Sequence, residues 1–415
     1  MHQLNDKCPW HAEAIHAAWK IEMSRRLEKK HPDKFPTLPE IPAARYVCQD
    51  FFALEKTFLW TRTWLLVAHL GELPQPGSYK AFDVIGKPVL AVRDQNGDVG
   101  VFFNSCKHRG ARLVQDDKGI TSRLNCPYHA WSYDLGGTLK YCPDDYDFPA
   151  LSKCQKNLTK IRSATLGNLL FICFDNNAKS LDCHLGAMKD MISDVPWSET
   201  RLYQTRHFDV DCNWKFIHDA FSETYHVSYV HPKSVNAAIN RTYTARLMLR
   251  NGHNAMYVKN RADEKEMASH NVFDQGGIDQ SVKLQPITKE GQRSYNIFPN
   301  ITVPVAENLS VIMVLWPLAS NKTKIALYYI KVDPDSPIDT DVDRATVNAF
   351  NQITQEDINA LRGIHEATAG SGIISFVVGY GEQFIYNYHR EIDNIIGADN
   401  IPQALRVAQV ELPLI

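Results

Sequence analysis

The sequence predicts an α+β chain of two domains, a small all-β domain followed by a larger one that mixes helices with strands. Three observations lead there. At 415 residues the chain is longer than one typical domain and long enough for two substantial cores. From Trp60 to about Phe174 short β-like runs, WLLVAH, PVLAVRD, VGVFFNS and LLFICF, are separated by the turn signals PQPGS, QNGD and DLGG. Later come helical stretches and two apolar runs, LSVIMVLWPL and TKIALYYIKV, whose polar connection ASNK reads as the turn of a β-hairpin.

The elements follow in order. The stretch from Trp10 to Lys30 has Ile15, Trp19, Met23 and Leu27 at helical spacing and ends before Pro32, as an amphipathic helix does. Its run Arg25, Arg26, Lys29 and Lys30 reads as a solvated face or basic helix end. FPTLPEIPAARY follows as a proline-spaced linker. The expected boundaries are an N-terminal helical segment and linker over 1–59, the β domain over 60–175 and the mixed domain over 176–415. Within the last, a connector reaches about Asp211, a helical stretch covers NWKFIHDAFSETYHVSYVHP, and a long, mostly helical element runs from about Asp341 to Ile396 with a break at Gly370 and Gly372. Asn260 to Gln292 is polar, contains glycine and lacks periodicity, so a surface loop near a substrate entrance is expected there.

Composition excludes several classes. With 45 basic against 47 acidic side chains, no nucleic acid or electrostatic membrane partner is indicated. The longest apolar run, Leu309 to Leu318, falls far short of a membrane span. Nine cysteines scattered from Cys8 to Cys212 do not read as a disulfide framework, and no apolar leader follows Met1, so a reducing cytoplasm is the expected location.

Chemistry concentrates in two constellations. The first is CKHRG, with Cys106 and His108, answered by CPYHAW, with Cys126 and His129. Two thiolates and two imidazoles suit a structural zinc ion. They equally suit a [2Fe–2S] cluster with one iron held by both cysteines and the other by both histidines, and one Cys with one His per loop is the distribution that cluster needs. Cys142 and Cys154 have no histidine partner and read as packed thiols. The second constellation is SETYHVSYVHP. His226 and His231 are five residues apart, about 140° around a regular helix at about 100° per residue, so they share no helix face. Pro232 disfavours helical geometry at His231 and lets the chain turn that imidazole back toward His226. Two histidines and one carboxylate form the facial set of non-haem Fe(II).

CKHRG and CPYHAW resemble the two halves of a Rieske iron–sulfur motif. From about Trp60 to Ile396 the chain is similar to the Rieske non-haem iron aromatic-ring-hydroxylating oxygenases, in their α or terminal oxygenase subunit. The resemblance implies an antiparallel β Rieske domain and a helix-grip (START-like) catalytic domain whose curved antiparallel sheet wraps a long C-terminal helix. It assigns Cys106, His108, Cys126 and His129 to the cluster and His226 and His231 to a mononuclear iron. Through the match at QEDINALRG it also assigns Asp357 to that iron, with adjacent Glu356 as the alternative. Glu223 stands where the family places an acid linking the mononuclear iron's histidine to a Rieske histidine of the adjacent subunit, here His129. Many members carry Asp at that position. Asp219, one turn earlier, is a weaker candidate for lining the pocket or tuning Glu223.

What the resemblance implies is a terminal oxygenase. Electrons from the [2Fe–2S] Rieske cluster and a mononuclear non-haem Fe(II) serve O2 activation, and one or both oxygen atoms enter a C–H or C=C bond of an aromatic or alicyclic small molecule. Oxidative N- or O-demethylation and quaternary amine monooxygenation share the same ligands. No GxGxxG follows a strand, so a separate NAD(P)H-dependent reductase, with or without a ferredoxin, is the expected electron donor. A ring-shaped homotrimer is implied as well, with the N-terminal helix as a candidate contact element. The rivals from other classes are a Rieske electron carrier, which leaves His226, His231 and Asp357 without a task, and a zinc-stabilised binding module.

Overall fold

The computed structural model describes residues 12–150, 153–261, 290–306 and 309–415. The chain divides into two compact units, one over Thr61–Ala178 and the other formed by the segment up to Trp60 together with Lys179–Ile415.

The smaller unit is antiparallel β throughout. Strands Val99–Phe103, Lys87–Arg93, Ser78–Val84 and Lys118–Ile120 form one sheet in that order, Arg162–Leu166, Leu169–Cys173 and Leu65–His69 a second, and three short strands between Leu124 and Tyr141 a third. The turns follow from their residues. Between Arg93 and Val99, Asp94 Oδ1 accepts from the backbone N–H groups of Asn96 and Asp98, and Gly97 takes a φ of 91°. Between Leu166 and Leu169 the two-residue connection Gly167-Asn168 closes a tight hairpin, with Gly167 at a φ of 54°. Leu90, Val92, Phe102, Trp131 and Tyr133 pack into a core that also buries Cys106, Cys126 and Cys142, so Cys142 is a packed side chain as its lack of a histidine partner suggests.

The larger unit is built on a seven-stranded antiparallel sheet. Its strands in chain order are β1 (Arg201–Val210), β2 (Ile239–Met248), β3 (Asn254–Asn260), β4 (Gly291–Ile297), β5 (Ile301–Val305), β6 (Leu309–Ala319) and β7 (Lys322–Lys331), arranged β1-β7-β6-β5-β4-β3-β2. Strands β6 and β7 are the hairpin read from the sequence. The stretch expected to be a connector contains β1, an edge strand whose half-exposed residues carry little apolar alternation.

Among the helices that accompany the sheet are α1 (Ala12–Glu28), α2 (Trp214–Ala220), the single turn α3 (Val227–Val230), α4 (Asp341–Gly370) and α5 (Gln383–Ile396). Helix α4 starts at a capping box in which Thr340 Oγ1 accepts from Asp343 N and Asp343 answers to Thr340 N, an arrangement worth about 1 kcal/mol. Val347, Phe350, Ile358 and Leu361 recur at helical spacing and bury one face against the sheet's core. The break expected near Gly370 and Gly372 separates α4 from α5, and Gly372 sits at a φ of 70°.

Three expectations are corrected. The basic run of α1 is not wholly solvated: Glu22 is buried, and Arg25 and Arg26 both donate to its carboxylate. A buried acid needs such partners. The proline-spaced stretch is not a free linker either. Ile41–Pro42 pairs with Ser375–Phe376, and the fully buried Arg45 donates to Asp393 at 2.6 Å and to the Leu405 carbonyl at 2.7 Å. Third, Trp214 to His231 is not one helix. Ser222 Oγ donates back to the His218 carbonyl at 2.8 Å, and the Glu223 carboxylate accepts from the backbone N–H groups of Tyr225 and His226, which draws the backbone out of the helical ladder after Ala220. Of the expected surface loop, residues 262–289 lie outside the described residues, while Asn260 ends β3 and Gln292 already belongs to β4.

Candidate metal centres

In the smaller unit the two loops repeat one backbone design. Gly110 N donates to the Cys106 carbonyl at 2.9 Å and Ala130 N to the Cys126 carbonyl at 3.0 Å. Cys106 N and Cys126 N donate, each at 2.8 Å, to the carbonyls of Ala111 and Trp131. Gly110 and Ala130 both take positive φ, 79° and 56°, which glycine does freely and alanine does at a cost. The result buries both cysteines, leaves His129 exposed and keeps His108 half-buried. The Nδ1 atoms of His108 and His129 lie 3.1 Å apart. Ring nitrogens this close would let both imidazoles hold one metal ion. Around them His108 stacks on Trp131 at 4.9 Å, and the Tyr133 hydroxyl lies 3.4 Å from Cys106 Sγ while accepting from Lys107 N at 3.1 Å. A donor set split into a buried thiol pair and an imidazole pair nearer the surface fits a two-iron cluster with unlike ends.

In the larger unit one ligand atom each from His226, His231 and Asp357 lies within 4.8 Å of the others. Local structure explains how residues five apart meet. His226 precedes α3 and His231 ends it at a φ of −115° and ψ of 44°, where Pro232 forbids continuation. Asp357 projects from the buried face of α4. Asp357 Oδ1 is 2.9 Å from His231 Nε2 and 3.6 Å from His226 Nε2. The opposite nitrogens face other carboxylates: His226 Nδ1 bonds Glu223 Oε1, and His231 Nδ1 bonds Glu356 Oε2 at 2.7 Å. A proton on each Nδ1 toward its own carboxylate would leave the Nε2 lone pairs available on the Asp357 side, the tautomer a metal ligand needs. Burial disfavours the protonated form of both rings, and the facing carboxylates outweigh it and raise both above the usual histidine value. The set fits a non-haem iron, and Asp357 rather than Glu356 faces both Nε2 atoms.

Glu223 and His226 therefore meet through a turn. Asp219 is elsewhere. It is buried, accepts from the Tyr46 hydroxyl at 2.5 Å and lies 3.8 Å from both His218 and His389. Burial pushes its carboxyl up, and the two imidazoles outweigh that and hold it down at about 2. Tyr46, His389, Arg45 and the orienting role of Glu356 escaped the sequence reading. Their partners are more than 120 residues away in the chain, and no local pattern marks them.

A cavity open to solvent on one side lies beside His226, His231 and Asp357. Phe221, Val227, Ile239, Met256, Phe350 and Ile353 contribute most of its apolar wall. Arg293 borders it too, but its neighbours in β4 alternate in direction. Gln292 and Ser294 face the cavity, whereas the Arg293 guanidinium lies on the opposite side, bonded to Asp194 at 2.7 Å and over the Tyr295 ring.

Paired Cys/His loops in a β unit and a gathered His, His and Asp set in a mixed unit define a protein of two unlike iron centres. Residues 63–152 match the family described as Rieske [2Fe-2S] domain, and residues 198–398 match Ring hydroxylating alpha subunit (catalytic domain). The chain belongs to the Rieske oxygenase α subunits, the family that joins these two domains. Its cofactors are a Rieske [2Fe–2S] cluster and a mononuclear non-haem iron.

Among its relatives, the α subunit of chlorobenzene dioxygenase from Cupriavidus sp. (strain PS12) is 32% identical over 189 residues, covering 44% of this chain and 42% of that protein. The glycine betaine monooxygenase oxygenase subunit of Chromohalobacter salexigens is 28% identical over 203 residues, 48% and 44% of the two chains. The matches span less than half the length of these curated relatives. Among solved structures, a quaternary ammonium Rieske monooxygenase superposes with a TM-score of 0.73 at 20% identity, covering 89% of this chain and 99% of that one. Naphthalene 1,2-dioxygenase from Rhodococcus sp. gives 0.72 at 18% identity over 93% and 98%. The fold is thus that of Rieske oxygenase α subunits, with the mixed helix and antiparallel sheet the sequence implied. Among the described residues no helix is long and apolar enough to cross a membrane.

Proposed function

We propose that this chain is the terminal oxygenase component of a multicomponent system and hydroxylates a neutral aromatic or alicyclic molecule. The observation that carries the reading is the convergence of His226, His231 and Asp357 on the wall of a largely apolar cavity. A ring substrate is held there by burial of its apolar surface, at about 25 cal/mol per Å² removed from water. When bound, a mononuclear ferrous iron with positions left open supplies dioxygen reduction, drawing electrons from the Rieske centre.

The residues have distinct tasks in this reading. Cys106, Cys126, His108 and His129 hold the cluster; His226, His231 and Asp357 hold the mononuclear iron. Glu356 holds the Nδ1 proton of His231. Glu223 does the same for His226 and, in a homotrimer, reaches toward His129 of the adjacent copy. A separate NAD(P)H-dependent reductase, with or without a ferredoxin, feeds the cluster. A Rieske electron carrier alone would give the second constellation no work.

A second reading, oxidative removal of methyl groups or oxidation of a quaternary amine, draws support from the similarity to the glycine betaine monooxygenase subunit. One experiment separates the two. The protein, reduced by a generic reductase, is given dioxygen with a panel of bicyclic aromatics, cyclic ketones and methylamines, and products are identified by mass. Hydroxylated rings are expected. Formaldehyde from the methylamines without ring products would favour the second reading, and no oxygenated product from any substrate would overturn both.

A further inference from the structure

The floor of the cavity carries a polar feature that an apolar substrate would leave unused. Strands β4 and β5 pair so that Ser294 lies opposite Pro304 and Asn296 opposite Thr302. Ser294 and Asn296 point to the same side of β4 because side chains alternate along a strand. Ser294 and Thr302 are then diagonal neighbours on the cavity side, and both line it.

Their hydrogen bonding is incomplete. Asn296 is fully buried and its Nδ2 donates to the Phe221 carbonyl at 3.4 Å and to Thr302 Oγ1 at 3.0 Å. The Phe221 carbonyl can only accept, which fixes the amide with its nitrogen on this side. Thr302 Oγ1 therefore accepts from Asn296, and its own proton has no acceptor among the described residues. Ser294 Oγ likewise has no partner among the described residues. The two hydroxyls face a cavity whose remaining wall is mostly apolar; Ser294 is half-buried, whereas Thr302 is buried, and a buried donor left unpaired costs about 1–3 kcal/mol. That cost is relieved when a ligand supplies the acceptor. Charge is not what the floor asks for, since the Arg293 guanidinium is turned to the other side of the sheet and pairs with Asp194.

We propose that Thr302 and Ser294 form a hydrogen-bond-donating subsite for a neutral carbonyl or ether oxygen, so that the substrate is a cyclic compound bearing one such oxygen. Asn296 is a positioning residue that sets the direction of the Thr302 hydroxyl. The subsite rests on the oxygenase reading of this cavity and names the class of molecule it takes.

The test is equilibrium binding to the iron-loaded protein without dioxygen, by calorimetry, using 1-indanone and indane, which differ by one carbonyl oxygen. In Thr302→Val, similar in shape but without the hydroxyl, the preference for the ketone over the hydrocarbon should fall about tenfold, and in Ser294→Ala severalfold. Thr302→Ser should retain the preference. Indane affinity should stay within about twofold in all three, which shows that the cavity is intact. A ketone preference that is unchanged in Thr302→Val, or lost equally in Thr302→Ser, overturns the subsite. If these probes are nonetheless oxygenated, the oxygenase reading survives that failure; if wild-type protein binds neither probe, the subsite falls and the substrate panel above decides the oxygenase reading.

Discussion

His231 Nδ1 lies 2.7 Å from Glu356 Oε2, while His231 Nε2 lies 2.9 Å from Asp357 Oδ1. Two adjacent acids on α4 thus take opposite ends of one imidazole. Glu356 is itself held, accepting from Ser234 Oγ at 2.7 Å and Gln352 Nε2 at 2.9 Å; against the effect of burial, His231 first and then these two partners lower its carboxyl below the usual range. The carboxylate orients the ring and strengthens the other nitrogen as a ligand. Glu356→Ala should weaken iron binding at the mononuclear site about 10–100-fold without altering the cluster's absorption. Iron retention against a graded chelator series checks this, and wild-type retention would remove the orienting role.

Glu223 performs the matching task for His226, through a turn that also ties its carboxylate to two backbone N–H groups. Glu223→Gln keeps an acceptor for the ring, so both metals should stay bound. Loss of its negative charge should slow oxidation of the reduced cluster in a single turnover by about tenfold or more. Rapid mixing with dioxygen and substrate reads that rate directly. An unchanged rate would dismiss Glu223 as the link between centres.

Much of the site was legible because its ligands sit in short motifs. Cys106 to Gly110 and Cys126 to Trp131 carry donors and turn formers within a few residues, and Pro232 announces the break that lets His231 turn back. The β6–β7 hairpin and the long helices were legible from apolar periodicity. What stayed hidden depends on distant partners. Arg45 and Tyr46 lie among prolines that read as a linker, yet they are buried because Asp393, His389 and Asp219 receive them. The helix expected through Glu223 failed for a local reason visible only in three dimensions, the competition of the Ser222 and Glu223 side chains for backbone groups.

A buried ion pair gives a prediction about stability. Lys215 Nζ lies 2.7 Å from Glu55 Oε1, neither side chain is exposed, and Trp214 Nε1 donates to the same carboxylate at 3.1 Å. Glu55→Gln would leave an ammonium buried without its counter-charge. The expected loss is about 3–5 kcal/mol, read as a lower urea midpoint. A midpoint within error of wild type would show that Lys215 is neutral in the folded chain.

Acid should destabilise the larger unit through two buried histidines. His253 Nδ1 accepts from Phe298 N at 2.9 Å while its Nε2 donates to the His184 carbonyl at 2.7 Å, so a second ring proton would oppose the Phe298 N–H. Burial pushes His253 down to about 3 and His184 to about 4. The unfolded chain takes up these protons near pH 6.5 and the folded chain does not, so stability is full above that pH and is lost as pH falls through the window down to about 4. Each histidine contributes roughly 1.4 kcal/mol per pH unit there. Urea unfolding at pH 7 and pH 5 should show a smaller difference for His253→Gln than for wild type. Equal differences would contradict the assignment.

The central claim is that one chain holds two unlike iron centres. Quantifying iron and acid-labile sulfide in the purified protein, alongside Asp357→Ala, tests it most directly. Wild type should contain more iron than sulfide, in the ratio that a [2Fe–2S] cluster plus one mononuclear iron requires, and Asp357→Ala should lose only the excess iron while keeping the cluster's visible absorption. Equal iron and sulfide in the fully loaded wild type, or an Asp357→Ala protein with the wild-type ratio, would contradict it.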